Sequence, residues 1–198
     1  MIRLQGTGIR LPCQSGHMIV TLETERLVLR PFLEEDLDAL VALQGEDSFW
    51  WFPLRRGMTE EESADFLGWA VSVNADPARP VFHAVIERES GALIGWAGLS
   101  VPEFLPELLP AVEVGWRLGS DFRGNGYATE AATAALAWGF ETLQLEEIVS
   151  IHEPDNVPSG RVMDRLGFGP ASATVDPVRD LPLLVRRLSA DDWRARSR

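Results

Sequence analysis

One run in the middle of the chain constrains the fold more than any other, because its hydrophobic period changes twice within about forty residues. Residues 111–118 alternate as a strand, residues 119–126 form a glycine-bearing turn, residues 127–143 make an alanine-rich helix, and residues 147–152 return to a strand. Two strands joined through a helix belong to one sheet with the helix laid across its face, so the chain is built in layers. Around this crossover the patterning adds a strand over 22–32, a helix over 33–43 and a second helix from Thr59 to about Asn74. Thr59 and Glu62 spell a capping box at the start of that second helix. Its apolar stripe is Phe66, Leu67, Ala70 and Val71, while the first helix uses Leu33, Leu37, Leu40 and Val41. Residues 81–88 and 92–101 form a hairpin across Glu89, Ser90 and Gly91, and Pro102, Pro106 and Pro110 break the loop that follows. A helix near 158–166 stops at Gly167, and the remainder, including 183–188, reads as one or two terminal strands.

Composition excludes several classes. The 198 residues are 45% hydrophobic with 18 basic against 30 acidic side chains, a formal net charge of -12. That balance suits one soluble globular domain and opposes nucleic-acid binding, which needs a basic footprint. An acidic surface attracts amines or basic peptides, and it equally serves solubility. Cys13 is the single cysteine, and His17, His83 and His152 have no metal-ligand spacing, so the sequence predicts no metal. No apolar run is long enough for a bilayer, and residues 1–17 do not read as a signal peptide, which makes a cytoplasmic location the default expectation. Residues 1–18 read as an N-terminal extension to a single domain over 19–198, with Met18 an alternative start because strong patterning begins only after it.

The chemistry concentrates in Arg123-Gly124-Asn125-Gly126-Tyr127-Ala128, between strand and helix. Two glycines allow positive φ and let successive N–H groups line one concavity, while the helix adds its positive end and Arg123 a full charge. A phosphate or pyrophosphate fits there. A P-loop would need Gly-Lys-Ser/Thr, and a dinucleotide fingerprint would need glycine where Thr129 stands, so both fail.

What does match is Arg-x-x-Gly-x-Ala, through Arg123, Gly126 and Ala128, which resembles the acetyl-CoA pyrophosphate loop of the GNAT acyltransferases. Upstream, Val112-Glu113-Val114-Gly115-Trp116-Arg117-Leu118 is similar to the family's Glu-hydrophobic-Gly-aromatic strand. Downstream, Asn156, Ser159 and Leu166-Gly167-Phe168 resemble its Asn-x-x-Ser segment and the Leu-Gly-Phe that follows. The opening run from Leu22 to Arg30 looks like that of the branch that acetylates ribosomal-protein N-termini. The resemblance spans about residues 20–190.

The resemblance implies an α+β fold: a mixed, mostly antiparallel sheet of about seven strands flanked by helices. It implies N-acetyl transfer from acetyl-CoA to a primary amine, on a protein N-terminus or a small molecule, by direct transfer. Backbone groups of Trp116, Arg117 and Leu118 would pair with pantetheine, and N–H groups of Arg123, Gly124, Asn125, Gly126, Tyr127, Ala128 and Thr129 would hold pyrophosphate. Asn156 would bond the pantetheine amides, and Ser159 would lie near the sulfur and donate to the leaving thiolate. Glu113 is the leading base candidate, with an arginine-paired strand glutamate as the plainer reading. Trp50, Trp51 and Phe52 are candidates for an acceptor wall, or for core. Arg55 and Arg56 suit a carboxylate or phosphate, or solvent; His152 is a candidate proton relay. Trp96, Trp138 and His83 read as packing.

Two departures from the family stand out. Tyr127 is the only tyrosine and sits in the phosphate loop, so the usual tyrosine acid is missing; and Gly169-Pro170-Ala171-Ser172 holds no glutamate after Leu-Gly-Phe. These keep a catalytically silent acyl-CoA-binding module as the alternative. Dimers are common in the branch, and a homodimer is compatible with this sequence, although no feature specifies one.

Overall fold

A computed structural model describes residues 20–49, 54–74 and 82–196. Trp50, Trp51 and Phe52, together with Cys13, His17 and the expected extension over 1–18, lie outside the described residues. Among the described residues eight strands form one sheet: β1 (Leu22–Glu23), β2 (Leu27–Arg30), β3 (Phe82–Glu87), β4 (Leu93–Ser100), β5 (Glu113–Leu118), β6 (Glu147–His152), β7 (Ser172–Asp176) and β8 (Leu181–Ser189). Their spatial order is β1-β2-β3-β4-β5-β6-β8-β7, and among these described strands β5 and β6 alone run parallel. The helices are α1 (Leu37–Gln44), α2 (Glu60–Asn74), α3 (Tyr127–Ala137), α4 (Val157–Leu166) and α5 (Ala190–Arg196).

The expected elements form, with four differences. The single strand expected over 22–32 is two, because Thr24 N–H donates to Leu27 O at 3.0 Å and closes a turn between β1 and β2. That split accounts for eight strands in place of about seven. The helix expected to run to Leu143 widens at its end, where Leu143 N–H donates to Trp138 O, five residues back. Leu33, expected on the apolar stripe of the first helix, is exposed. Finally, α5 follows the terminal strands; Ser189 caps it by accepting from Asp192 N–H at 3.1 Å, and Trp193 anchors it in the core.

Both sheet faces are covered. On one, α3, α4 and α5 bury Leu99, Val114, Leu136, Ile148, Met163 and Trp193. On the other, α1 and α2 pack Leu40, Leu67 and Ala70 against Phe32, Ala84 and Trp96. Burying two such layers is the main stabilising term of the fold, at about 25 cal/mol per Å² of apolar surface. Among the described residues no helix is long and apolar enough to cross a membrane.

Candidate active site

The parallel pair β5–β6 is where the sheet opens. Glu113 is paired with Val149, and Val149 N–H donates to Val112 O at 2.9 Å. One residue further, the Ser150 hydroxyl donates to Val114 O at 2.9 Å. Beyond that point β5 continues to pair with β4 through Leu118, while β6 continues with β8 through His152. The two strands therefore share a short apex and then part company. The inner edge of β5 from Gly115 to Leu118 faces the split, an edge that an extended ligand can pair with as another strand does. Ser150 was not singled out by sequence; a buried strand serine that fastens the apex carries no motif.

The β5 edge leads to the glycine turn. Gly124 and Gly126 take φ of 81° and 83°, as the phosphate-loop reading requires. Gly126 is the residue before α3, and among the described residues no side chain caps this helix. The first-turn N–H groups of α3 thus have neither an intrahelical acceptor nor a side-chain cap, which leaves them for an anion. Arg123 behaves differently from the expectation that its charge would join the cradle: its guanidinium donates to Leu118 O at 3.0 Å and Ser48 O at 2.8 Å, bracing the turn from behind.

A second brace comes from a residue outside the motif. Arg26 donates to Asn125 O at 3.0 Å and to Glu130 Oε2 at 2.7 Å, and its guanidinium lies 4.6 Å over the Tyr127 ring. Glu130 in turn accepts from Thr24 Oγ1 at 2.6 Å and from Arg26 N–H at 2.9 Å. The Tyr127 hydroxyl donates to Glu87, so the chain's only tyrosine is held at the end of β3.

Strand alternation puts Glu113, Gly115 and Arg117 on one face of β5, the α1–α2 face, where a Cβ on Gly115 would meet Phe82 and Trp96. Burial pushes the Glu113 carboxyl up to about 8, against the pull of the Arg117 charge. The Arg117 guanidinium donates to Phe49 O at 2.7 Å and lies 5.4 Å over the Trp96 ring. Burial, reinforced by the Arg123 charge, lowers it to about 9.

At the end of β6 the chain turns into α4. Asn156 Oδ1 accepts from Ser159 N–H at 3.2 Å, capping the helix. The Asn156 oxygen is thereby engaged, while its Nδ2 group can still donate. His152 Nδ1–H donates to Glu153 O at 2.8 Å, which fixes the neutral tautomer with Nε2 toward Gly160 of α4. Burial lowers the pKa of His152. His83 is buried, donates its Nε2–H to Val20 O at 3.0 Å and packs edge-on to Trp138. Arg56 pairs with Glu62, and Arg55 with Glu153 at 2.8 Å.

Among the described residues no group of His, Cys, Asp and Glu could hold a metal ion. A surface depression of about 470 Å³ lies away from the split, between α1 and the β3–β4 hairpin, where Arg30 and Asp36 satisfy each other.

A sheet split beside a glycine turn and an uncapped helix offers an extended ligand a strand edge to pair with and its anionic end a set of N–H groups. The model of the acetyltransferase (GNAT) domain matches residues 26–169, and the chain belongs to this family of N-acetyltransferases. It is 30% identical over 147 residues to YnaD of Bacillus subtilis, an uncharacterized N-acetyltransferase, covering 74% of this chain and 81% of that one. It is 26% identical over 157 residues to the [ribosomal protein uS5]-alanine N-acetyltransferase of Escherichia coli, covering 75% and 78%. A crystal structure of an acetyltransferase from Agrobacterium tumefaciens superimposes with a TM-score of 0.70 at 27% identity, over 89% of this chain and 98% of that one.

Proposed function

We propose that the enzyme moves an acetyl group from acetyl-CoA to a primary amine by direct attack. The observation that carries this reading is the open edge of β5 leading into the uncapped N-terminus of α3. Acetyl-CoA supplies an activated thioester. In this reading backbone groups of Trp116, Arg117 and Leu118 pair with its pantetheine arm, and N–H groups from Arg123 to Thr129 hold its pyrophosphate. Asn156 Nδ2 donates to a pantetheine carbonyl.

An alkylammonium must lose a proton before its nitrogen can attack. Glu113 stands at the apex of the split with an affinity for protons raised close to that of a useful base, and it takes that proton. As the C–N bond forms, the carbonyl electrons return and the C–S bond breaks. The Ser159 hydroxyl, on the first turn of α4, donates to the departing thiolate and regains a proton from the second one that nitrogen sheds as the amide forms, so that amide, thiol and protonated Glu113 result. A backbone N–H of the splayed strand stabilises the charge that develops on the carbonyl oxygen. Holding both reactants in the split supplies much of the rate by itself.

The test is free-thiol release from acetyl-CoA in the presence of mixed amines and N-terminal peptides. Amine-dependent release supports transfer. Tight acetyl-CoA binding with no release for any amine would instead make the chain a silent acyl-CoA-binding module.

A further inference from the structure

Glu153 has no role in the steps above, yet its placement is unusual. Its side chain is only 3% exposed, and it sits one residue beyond β6, on the arm of the split opposite β5. Oε1 accepts from Arg55 at 2.8 Å, and Arg55 comes from the segment between α1 and α2. The carboxylate therefore faces the α1–α2 side of the sheet, the side on which Glu113 and Gly115 lie. Oε2 is buried and has no hydrogen-bond partner. Buried carboxylate oxygens are normally satisfied, because a buried charge without donors is costly.

Arg55 is suited to share this carboxylate rather than to neutralise it fully. Its side chain is half-exposed, and its backbone is held at φ 54°, in the left-handed region. It reaches Glu153 from the solvent side and engages one oxygen. The other oxygen is left inside, next to the turn that carries His152 and Asn156 into α4.

From this arrangement we infer that Glu153 is a specificity-determining residue, which selects acceptor amines bearing a second cationic group by accepting from that cation at Oε2. The inference rests on the proposed transfer reaction and names its acceptor class. The chain's net charge of -12 draws such acceptors toward the surface, and Glu153 fixes one end inside. Arg55 holds the carboxylate in position and competes with the acceptor for it.

The experiment compares kcat/KM for α,ω-diamines, monoamines and ω-amino acids of three to six carbons, in the wild type, Glu153→Gln and Arg55→Ala. The tripeptides Ala-Arg-Ala and Ala-Glu-Ala present the same contrast at a peptide N-terminus. In the wild type the cationic member of each set is preferred, and whether diamines or peptides show the larger preference identifies the source of the second cation. Glu153→Gln lowers the preference at least tenfold, whereas Arg55→Ala raises it at least threefold. Opposite signs are the signature, since a merely structural ion pair would suffer alike from either change. Preference for the anionic members, or equal selectivity in all three proteins, overturns the inference. If Glu153→Gln does not fold, the rise in Arg55→Ala alone decides. Acetyl-CoA binding is measured on the same samples: loss there in the wild type would sink the transfer reading, while unchanged binding with unchanged selectivity sinks only the role of Glu153.

Discussion

Glu113 occupies a position where a carboxyl keeps its proton at neutral pH and, once ionised, is a stronger base than an ordinary glutamate. Its ordinary value of 4.5 is pushed to about 8 by burial, with Arg117 pulling the other way. Turnover normalised to Glu113→Gln therefore rises from pH 7 and levels off above about 8, and the substitution itself lowers kcat about a hundredfold. A pH–rate profile identical in the two proteins would clear Glu113 of the role. The same shift has a stability consequence. The folded state keeps a proton that the unfolded chain gives up near 4.5, so ionisation opposes folding. Wild-type stability relative to Glu113→Gln falls as pH rises from about 4.5 to about 8 and then stays level; denaturant unfolding near pH 5, 7 and 9 measures it. Glu113 could be singled out as a candidate because it sits inside a recognisable strand motif. Glu153 was not: in sequence it is a glutamate before a proline, and its meaning comes from burial and from a partner 98 residues away. Arg26 was invisible as a loop brace for the same reason, since its contact with Asn125 spans 99 residues.

At the scale of single elements, local chemistry reads well wherever one turn of chain decides the outcome. The capping box before α2 forms as the spelling of Thr59 and Glu62 requires: Glu62 N–H donates to Thr59 Oγ1 at 3.2 Å, and Thr59 N–H donates to Glu62 Oε2 at 2.9 Å. Thr59→Ala removes one of these bonds, and the expected loss is about 1 kcal/mol in denaturant unfolding. The α4 stop at Gly167, with φ of 89°, is equally local. The break between β1 and β2 and the short α5 escaped because neither has a periodic signal. Only Ala190 and Trp193 of α5 are buried, although the Ser189–Asp192 spacing is a cap that the sequence does spell. The turn before α3 supplies the sharpest element-level prediction. Gly126 lies at φ 83°, where a β-branched residue is strained whatever the space around it. Gly126→Val disrupts the cradle, and acetyl-CoA affinity drops at least tenfold by calorimetry. Unchanged affinity would remove pyrophosphate from this loop.

For the whole molecule, the order of the sheet explains why the site is where it is. Antiparallel pairs can close with short turns and leave no gap, whereas the one parallel pair is joined through α3 and shares only a brief apex. The crossover in the sequence foretold that pair and the layered fold; the depth of the split depended on where Ser150 and Val114 meet, which no local pattern encodes. In the proposed complex a polyanionic ligand meets a chain of net charge -12, so oriented N–H groups at the loop, rather than overall attraction, would have to supply its affinity. Ligand bound only to the folded state raises the midpoint of thermal unfolding, by an amount equivalent to about 2.7 kcal/mol at a hundred times Kd. Acetyl-CoA and CoA produce that rise, and ATP, which lacks the pantetheine arm that pairs with β5, does not.

Calorimetric titration with acetyl-CoA, with CoA and ATP as controls, tests the split and loop together most directly. Micromolar acetyl-CoA binding without comparable ATP binding is the predicted result. An absence of acetyl-CoA binding, or ATP binding of equal strength, would contradict the account, leaving the β5 edge and the glycine turn as structural features alone.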